Sequence, residues 1–429
     1  MKTIFIKQRL SFGLVAIFFV LTMSGCSWFS DDDEPKEKTA NDYIYEKFKD
    51  WYLWNDQIPD IDPNGIKTQE ALIDSIKVAA DRWSFSGSLK EVTNLFQNAE
   101  YKGFGAGFWV DSDRVIKISH VYSDSPLGKA GVRRGWRVQT INGFTTENID
   151  SINAALNSDN FINFVFVDLD NVNHSFSLQR EAFAMNTVLY SNVYNVSDRK
   201  IGYVVFDGFY NTSIAELKAV VANFKAENIT DLIVDLRYNG GGLNDVAYKF
   251  FAMIGGEKVK NKVIAEMVHN EKHSSKNQVY TSNYDNEVLN LSSVCFITTE
   301  NTASASELLI NSLEPYMDVK LVGSQTHGKP VGMYIFSVEA LDLAILPISF
   351  KNTNSLGYGD YYNGLPVDVA EVDDLSHDWG DSDELMLKSA ISAIENPLLS
   401  FQQPELKSGK VTLSEPFEYK GLYKLIHAY

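Results

Sequence analysis

Residues 232–242 read LIVDLRYNGGG, an apolar run followed by a polar segment and three consecutive glycines. The apolar part predicts a buried β-strand, and the glycines predict a loop whose backbone can approach other groups closely. Further buried strands are predicted over residues 201–206, 294–298 and 319–322. Segments with helical periodicity separate these strands, and repeated β-α-β units form a mainly parallel sheet covered by helices.

The segments between the predicted strands have the residue spacing of helices. One follows Thr212, a residue type that caps helices, and two more cover residues 244–254 and 305–313. Together these strands and helices predict an α/β domain over residues 184–397. Residues 398–429 are weakly patterned, and we expect them to form a C-terminal extension.

The first 25 residues have the composition of an export signal. Lys2, Lys7 and Arg9 precede an uncharged apolar run over residues 12–23, which is too short to span a bilayer comfortably. The run ends at MSGC, residues 23–26, which resembles a bacterial lipobox. The resemblance implies a lipoprotein signal peptide over residues 1–25, and an ordinary signal peptide is the alternative.

A lipobox also implies that Cys26 carries the lipid after cleavage. We therefore expect an exported protein that is lipid-anchored to the bacterial cell envelope, at the outer membrane, on its periplasmic or its outer face. Residues 30–38 read SDDDEPKEK, a polar and acidic segment, so residues 26–40 are predicted to form a tether between the membrane and the folded domains.

The sequence carries a formal net charge of −18. Such a charge opposes binding to nucleic acids and to anionic lipid surfaces, so we expect neither as a partner. The lipid on Cys26 would supply the membrane attachment instead. The other cysteine, Cys295, lies in an apolar run, which predicts a buried thiol without a disulfide partner.

Residues 41–100 have the pattern of a small helical domain. Asn41 can cap a first helix with Ile44 and Phe48 on its apolar face, and residues 69–80 predict a second helix. The aromatic residues of this segment are interpreted as core.

Residues 101–183 have a strand-rich pattern with three recognisable segments. These are GFGAGF at 103–108, SPLGKAGV at 125–132 and RVQTING at 137–143, and together they resemble a PDZ domain. In such a domain the glycine loop binds the terminal carboxylate of a peptide, which adds a strand to the sheet. The loop residues implied here are Phe104, Gly105, Ala106, Gly107 and Phe108. A small β-barrel that only packs against the next domain is the alternative.

Two motifs in the predicted α/β domain carry the chemistry. Residues 302–309 read TASASELL, and residues 323–329 read GSQTHGK. With LRYNGGG at 236–242, they resemble the carboxyl-terminal processing (tail-specific) serine protease family. The resemblance implies a nucleophile at Ser304 and a general base at Lys329, 25 positions later, a spacing that favours Ser304 over Ser306.

The same resemblance implies the architecture and the activity. The fold class would be α/β multidomain, with the small helical domain, the PDZ-like β domain and a βαβ-type (crotonase/ClpP-like) protease core with a mainly parallel sheet. The activity would be that of a serine endopeptidase that cleaves proteins near C-terminal tails held by the PDZ domain. Proteins or peptides would be the partners, bound through their C-termini.

The chemistry of the residues agrees with that assignment. A lysine activates a serine only when it is neutral, and burial lowers the pKa of a lysine. Ser304 comes directly before a predicted helix, whose N-terminal N–H groups favour the negative charge that develops on the substrate. Gly240, Gly241 and Ala305 are the expected N–H donors of this oxyanion hole.

A third group should orient Lys329. Relatives use a glutamate three residues after the nucleophile, which corresponds to Glu307, or a glutamine four residues after the lysine, where this sequence has Met333. We therefore favour Glu307. The alternatives are that Glu307 only supports the helix dipole and that Ser304 and Lys329 act as a bare dyad.

The histidines offer other sites that we do not favour. His327 lies two residues before Lys329, and a spacer or substrate-contact role is preferred over a Ser-His pair. His269 and His273 are four residues apart, but the His-Glu-x-x-His order is absent, so we expect no metal site and no cofactor. The alternatives to a peptidase are a catalytically silent peptide- or ligand-binding lipoprotein on the same fold and a non-peptidase hydrolase.

Overall fold

The computed structural model describes residues 37–111, 114–283 and 287–396. The predicted signal peptide, Cys26 and the predicted C-terminal extension lie outside these residues. The described residues from Thr39 onward belong to one compact unit. Within the described ranges, no helix has the length and apolar character needed to cross a bilayer.

Helices and strands alternate through most of the described chain. The α-helices of this part are α1 (Ala40–Trp51), α2 (Gln69–Ile76), α3 (Leu89–Asn98), α4 (Pro126–Lys129), α5 (Ile149–Leu156), α6 (Ser213–Glu227), α7 (Asn244–Gly255), α8 (Ala305–Leu313) and α9 (Leu385–Glu395). The first ten strands are β1 (Phe85–Ser88), β2 (Glu100–Gly103), β3 (Ala106–Val110), β4 (Ile116–Val121), β5 (Arg137–Ile141), β6 (Ile162–Val167), β7 (Asn173–Leu178), β8 (Glu181–Ala184), β9 (Val188–Val196) and β10 (Arg199–Phe206). The later strands are β11 (Asp231–Asp235), β12 (Val263–His269), β13 (Gln278–Thr281), β14 (Ser293–Thr298), β15 (Asp318–Gly323), β16 (Val331–Met333), β17 (Phe336–Val338), β18 (Leu343–Leu346), β19 (Ile348–Thr353) and β20 (Val369–Ala370).

A six-stranded sheet forms the centre of the α/β region, with the order β20-β15-β14-β11-β10-β9. Its first five strands are parallel, and β9 pairs antiparallel to β10 at one edge. The helices α6 and α8 lie between successive parallel strands in the chain, as the β-α-β pattern predicts. The mainly parallel sheet expected from the sequence is therefore confirmed.

The central sheet is covered by helices on both faces. Leu232 and Val234 pack into one core with residues of α6, α7 and α8, whereas Ile233 between them packs against α9. This arrangement follows from the alternation of side chains along a strand, and it explains why the middle of β11 is apolar on both faces. Cys295 on β14 is buried in the core beneath α9, and burial raises the pKa of its thiol.

The N-terminal helices do not form a core of their own. Strand β1 pairs antiparallel to β18, and Phe48 of α1 shares a cluster with Leu343 and Ile345 of β18. The helical region predicted over residues 41–100 is present, and its apolar faces are completed by strands more than 200 residues later in the chain. Thr39, rather than the predicted Asn41, caps α1, since Thr39 and Asp42 form a capping box.

Residues 100–184 form a second sheet with its own core. Its five antiparallel strands have the order β3-β4-β5-β6-β7, and α5 contributes Ile152 and Leu156 to the core beneath it. Strands β2 and β8 pair antiparallel where the chain enters and leaves this region. Trp136 is part of this core and stacks on His174 with ring centroids 4.5 Å apart.

Buried charges connect the five-stranded sheet region to the central sheet. Arg134, just before β5, donates to Asp373 at 2.6 Å and to the Tyr238 hydroxyl at 2.8 Å. Arg237, just after β11, pairs with Asp373 at 2.7 Å as well. We call the following residues the buried ionic cluster: Arg134, Asp235, Arg237, Asp373 and Glu384.

Candidate active site

Ser304 lies at the N-terminal end of α8, directly before the first helical residue. Its backbone has φ 56° and ψ −112°, a conformation that L-residues adopt only under strain, and its N–H donates to Glu307 Oε2 at 2.9 Å. Ser304 is half-buried, so a substrate can reach it. The helix bounds agree with the sequence prediction, but the strained conformation could not be predicted from it.

Glu307 accepts four hydrogen bonds from neutral donors. Its Oε2 accepts the N–H groups of Ser304 and Lys329, at 2.9 and 2.8 Å, and its Oε1 accepts the N–H of Gly328 and the hydroxyl of Thr326, both at 2.6 Å. The carboxyl group is fully buried, and burial raises its pKa, while the four hydrogen bonds act in the opposite direction. A single side chain therefore joins the backbone of Ser304 to that of Lys329.

Lys329 lies in the loop that joins β15 to β16 and is 2% exposed. Burial lowers its pKa from 10.5 to about 7, although the charges of Asp81 and Glu307 oppose this shift. A substantial fraction of the lysine is therefore neutral at physiological pH. The direction of this pKa shift agrees with what the proposed base requires.

The glycine loop after β11 packs directly against Ser304. Gly241 has φ +102°, and a Cβ atom at this position would lie 2.8 Å from the Cβ of Ser304, so no other residue fits. Its N–H donates to Asn239 Oδ1 at 2.9 Å, which corrects the prediction that Gly241 is a free oxyanion donor. Among the described residues, the N–H groups of Gly240 and Ala305 have no acceptor, so both remain candidates.

The surroundings of His327 do not suit a general base. The indole Nε1–H of Trp83 donates to His327 Nε2 at 2.9 Å, and the imidazole also bonds to the backbone carbonyl of Glu300. Burial, together with the charges of Arg82 and Lys329, lowers its pKa to about 4. The ring is therefore neutral with both nitrogens engaged, which favours the spacer role over a Ser-His pair.

The segment Asp81-Arg82-Trp83-Ser84 also lines this region, which no motif in the sequence indicated. Arg82 donates to the carbonyl oxygens of His327 and Gly328, at 3.3 and 3.5 Å. This segment lies about 245 residues before the loop that it contacts, so no spacing rule connects the two. Asn239 was missed for a different reason, since its role depends on the conformation of the loop rather than on a motif.

The other predicted positions serve different purposes. His269 Nε2 contacts the Tyr334 hydroxyl at 2.9 Å, whereas His273 contacts Asp50 at 3.0 Å and stacks on Trp51. The two histidines thus have separate partners, and nowhere in the described ranges do three or more His, Cys, Asp or Glu side chains gather as a metal would require. Met333, where a glutamine was considered, packs into apolar clusters beside β16.

The candidate peptide-binding loop lies in the five-stranded sheet region. Phe104 is fully buried in the core of that sheet, so its side chain is not available to a ligand. Gly105 follows it with its carbonyl bonded to Tyr122, and Ala106, Gly107 and Phe108 begin strand β3. Within the described residues, β3 pairs only with β4 and is therefore an edge strand.

Comparison with known families covers two parts of the chain. Residues 200–357 match the model of peptidase family S41, and residues 39–85 match that of the peptidase S41 N-terminal domain. The first match contains Ser304, Glu307 and Lys329, and the second contains the segment from Asp81 to Ser84. The two matches flank residues 86–199, which include the five-stranded sheet.

Individual relatives agree with these matches. The chain is 23% identical over 324 residues to a CtpA-like serine protease of Staphylococcus saprophyticus, covering 74% of this chain and 62% of the relative. It is 27% identical over 275 residues to a CtpA-like serine protease of Staphylococcus aureus, covering 62% of this chain and 53% of the relative. The chain thus spans less than two thirds of the length of these curated relatives.

A solved structure shares the fold. The S41 protease structure from Bacteroides fragilis superposes with a TM-score of 0.69 and 22% sequence identity, covering 84% of this chain and 99% of that one. The described fold is thus that of an S41 protease structure. Residues 39–85 and 200–357 thus match the two domains of peptidase family S41, and together with the relatives they support a carboxyl-terminal processing protease family for this chain.

Proposed function

We propose that this protein is a serine endopeptidase in which Ser304 is the nucleophile and Lys329 the general base. The observation that carries the proposal is the burial of Lys329, which lowers its pKa to about 7 beside a serine held at a helix N-terminus. Glu307 supports it by accepting the backbone N–H groups of both residues on one oxygen. A module that only binds peptides has no need of a lysine with these properties.

The proposed reaction follows from these groups. Neutral Lys329 takes the proton of the Ser304 hydroxyl while the oxygen attacks the scissile carbonyl. The N–H groups of Ala305 and Gly240 would stabilise the resulting oxyanion, since both lack acceptors among the described residues. Lys329 then gives the proton to the leaving amine, and water hydrolyses the acyl-enzyme in a second, equivalent step.

The pH dependence has a definite direction. Only neutral Lys329 acts as a base, and burial lowers its pKa to about 7. The value of kcat/KM should therefore rise as the pH increases through about 7 and then reach a plateau. An enzyme that used a histidine with a pKa of about 4, such as His327, would reach its plateau far below that pH.

We further propose that residues 101–183 act as a PDZ-like domain that binds the C-terminal tails of protein substrates. The support is the edge position of β3, because an extended peptide can add to an edge strand and place its carboxylate near Gly105, Ala106 and Gly107. Comparison of two peptides that differ only in a free or amidated C-terminus tests this. A preference for the free carboxylate of at least about tenfold in kcat/KM is expected.

We also propose export and lipid anchoring through Cys26, for which the lipobox-like MSGC segment is the only support. Metabolic labelling with a fatty acid tests it, with Cys26→Ala as the control. Labelling of the wild type that disappears in the variant is expected, and equal labelling of both would contradict the proposal.

The protease assignment is tested with an unfolded model protein that has an apolar C-terminal tail. Wild type should degrade it, whereas Ser304→Ala and Lys329→Ala should lose at least about 10³-fold in rate while remaining folded. A fluorophosphonate should label wild type but not Ser304→Ala. An inert, unlabelled wild type would support the silent binding protein instead, and full activity of Lys329→Ala would exclude the proposed base.

A further inference from the structure

The segment Asp81–Ser84 is attached to the loop that carries Lys329. Arg82 donates to the carbonyls of His327 and Gly328, and the Trp83 indole donates to the His327 ring. Ser84 accepts the N–H of Ile348 at 2.9 Å on its hydroxyl, which fixes the other end of the segment to β19. Part of the catalytic region is therefore built by the N-terminal segment.

Asp81 uses only one of its two carboxylate oxygens in this structure. Its Oδ1 accepts the N–H groups of Trp83 and Ser84, both at 2.9 Å. Its Oδ2 is buried and has no hydrogen-bond partner among the described residues, and the whole residue is 2% exposed. An unpartnered buried carboxylate oxygen is unfavourable, so its presence beside a catalytic lysine calls for a functional reason.

The proposed mechanism supplies that reason. When Lys329 takes the proton of Ser304, it becomes an ammonium ion inside the protein and needs an opposite charge. Of the charged groups around it, Glu307 has both oxygens occupied by four neutral donors, and Arg82 and the His327 ring provide no negative charge. Asp81 is the carboxylate with an unoccupied oxygen.

Electrostatics agree with this geometry. Asp81 raises the pKa of Lys329 more than Glu307 does, against the larger effect of burial. The Tyr52 hydroxyl also faces Asp81, and burial together with the charge of Asp81 raises the pKa of that hydroxyl, so it remains neutral. The charge of Asp81 therefore acts on both the Tyr52 hydroxyl and Lys329, and Lys329 is the one of the two that can become a cation.

We propose that Asp81 is a positioning residue for the reaction, which balances the charge of Lys329 while the lysine holds the proton of Ser304. This inference rests on the proposed function and extends it by assigning the charge-balancing role to the N-terminal segment. Glu307 then has the separate task of fixing the backbone of the two reacting residues. Asp81 acts through Lys329 and does not itself contact the substrate.

The test is the pH profile of kcat/KM for Asp81→Asn, compared with wild type. Asparagine keeps an Oδ1 that can accept the N–H groups of Trp83 and Ser84, and it replaces the charged Oδ2 by a neutral NH₂ group. The acid limb of the profile should shift to lower pH by about one unit, and the plateau should fall about tenfold, because the ammonium form of Lys329 loses its counter-charge. Asp81→Glu, which keeps the charge, should retain the wild-type acid limb.

Asp62→Asn is the matched control, since Asp62 also accepts a nearby N–H, that of Asn64, but lies at the surface. It should leave the profile unchanged. Asp81→Ser provides a second neutral variant with an acceptor for the same N–H groups, in case Asp81→Asn does not fold. It should show the same shift of the acid limb.

The outcomes separate this inference from the proposed function. An inert wild type that no fluorophosphonate labels means that the proposed function fails. An active wild type with an unshifted acid limb in both neutral variants overturns only the role of Asp81. If neither neutral variant folds, Asp81 is a structural cap and the inference is likewise overturned, whereas a shift in either folded variant, absent in Asp62→Asn, supports it.

Discussion

Two buried carboxyl groups, Glu307 and Asp373, have opposite surroundings. Glu307 accepts three backbone N–H groups and one hydroxyl, all of them neutral. Asp373 accepts from the guanidinium groups of Arg134 and Arg237 and from the Tyr238 hydroxyl. Burial raises the pKa of Glu307, whereas for Asp373 the two arginines overcome burial and hold the pKa well below its usual range.

The difference shows two uses of a buried carboxyl group. The four donors to Glu307 are neutral, so they do not balance its charge. Two of these hydrogen bonds hold the backbones of Ser304 and Lys329 in position. The buried ionic cluster instead pairs two guanidinium groups with three carboxylates and joins three segments of the chain, around Arg134, Arg237 and Asp373. We expect changes at Glu307 to affect catalysis first and changes in the cluster to affect stability first.

The largest expected effect is that of Glu307→Gln on catalysis. The amide would present an NH₂ group to donors that now meet an oxygen, so the backbones of Ser304 and Lys329 must separate. We expect kcat/KM to fall by about 10²–10³-fold, with a smaller change in thermal stability. Glu314→Gln, at the exposed end of the same helix, is the control and should be near wild type. A folded Glu307→Gln with more than a third of the wild-type activity would contradict this role.

Arg134→Met should have its effect on stability. The substitution leaves Asp373 with one guanidinium partner and removes the hydrogen bond from Arg134 to the Tyr238 hydroxyl. We expect the free energy of unfolding to fall by about 3 kcal/mol. Denaturant unfolding measures it, with Arg137→Met as the control because Arg137 bonds to Asn171 at the surface. Activity per fluorophosphonate-labelled molecule should change less than fivefold. The reverse pattern, intact stability with lost activity, would refute the distinction.

Lys329→Met should stabilise the protein at neutral pH. Burial lowers the pKa of Lys329 from 10.5 to about 7. The unfolded lysine therefore binds a proton more tightly than the folded one, and this difference destabilises the folded protein. The penalty is complete at pH 7 and below and disappears as the pH rises towards 10.5. We expect a gain on the order of 2 kcal/mol at pH 7 that shrinks by pH 10. A gain that does not change with pH would contradict the lowered pKa of Lys329. Lys320→Met on β15 is the control.

The smallest expected effect is that of His327→Phe. The ring is neutral and accepts from Trp83, so the substitution removes hydrogen bonds but no catalytic base. We expect kcat/KM to stay within about fivefold and stability to fall by about 1 kcal/mol. Trp83→Phe removes the same hydrogen bond from the other side and should behave alike. A loss of more than a hundredfold in a folded His327→Phe would instead support a Ser-His mechanism.

The predicted elements of the α/β region agree with the structure because local pattern and environment coincide there. The apolar runs of β10, β11, β14 and β15 are buried on both faces, and the helical segment of α8 was predicted with the bounds that the structure shows. The N-terminal segment differed, because its helices complete their core with β18, which no local pattern could reveal. The cap at Thr39 was missed because Asn41 is also a good capping residue type.

The site was predicted in part. The motifs indicated Ser304, Lys329 and Glu307, and the structure brings all three together, although Glu307 contacts the backbone of Lys329 rather than only orienting its side chain. The motif could not show that the N–H of Gly241 is already bonded to Asn239. Motifs record residue types, whereas hydrogen-bond partners depend on the rotation of individual peptide groups.

The sequence by itself determined the alternation of strands and helices and the resemblance to the family, and its motifs indicated the proposed pair Ser304–Lys329, because periodicity and short motifs are local properties of the chain. Only the tertiary structure decided the surroundings of that pair. Asp81 and Trp83 reach the Lys329 loop from about 245 residues away, and the pKa of Lys329 falls because many distant segments together exclude water from it. Burial and charge are sums over neighbours in space, so they become known only once the chain has folded.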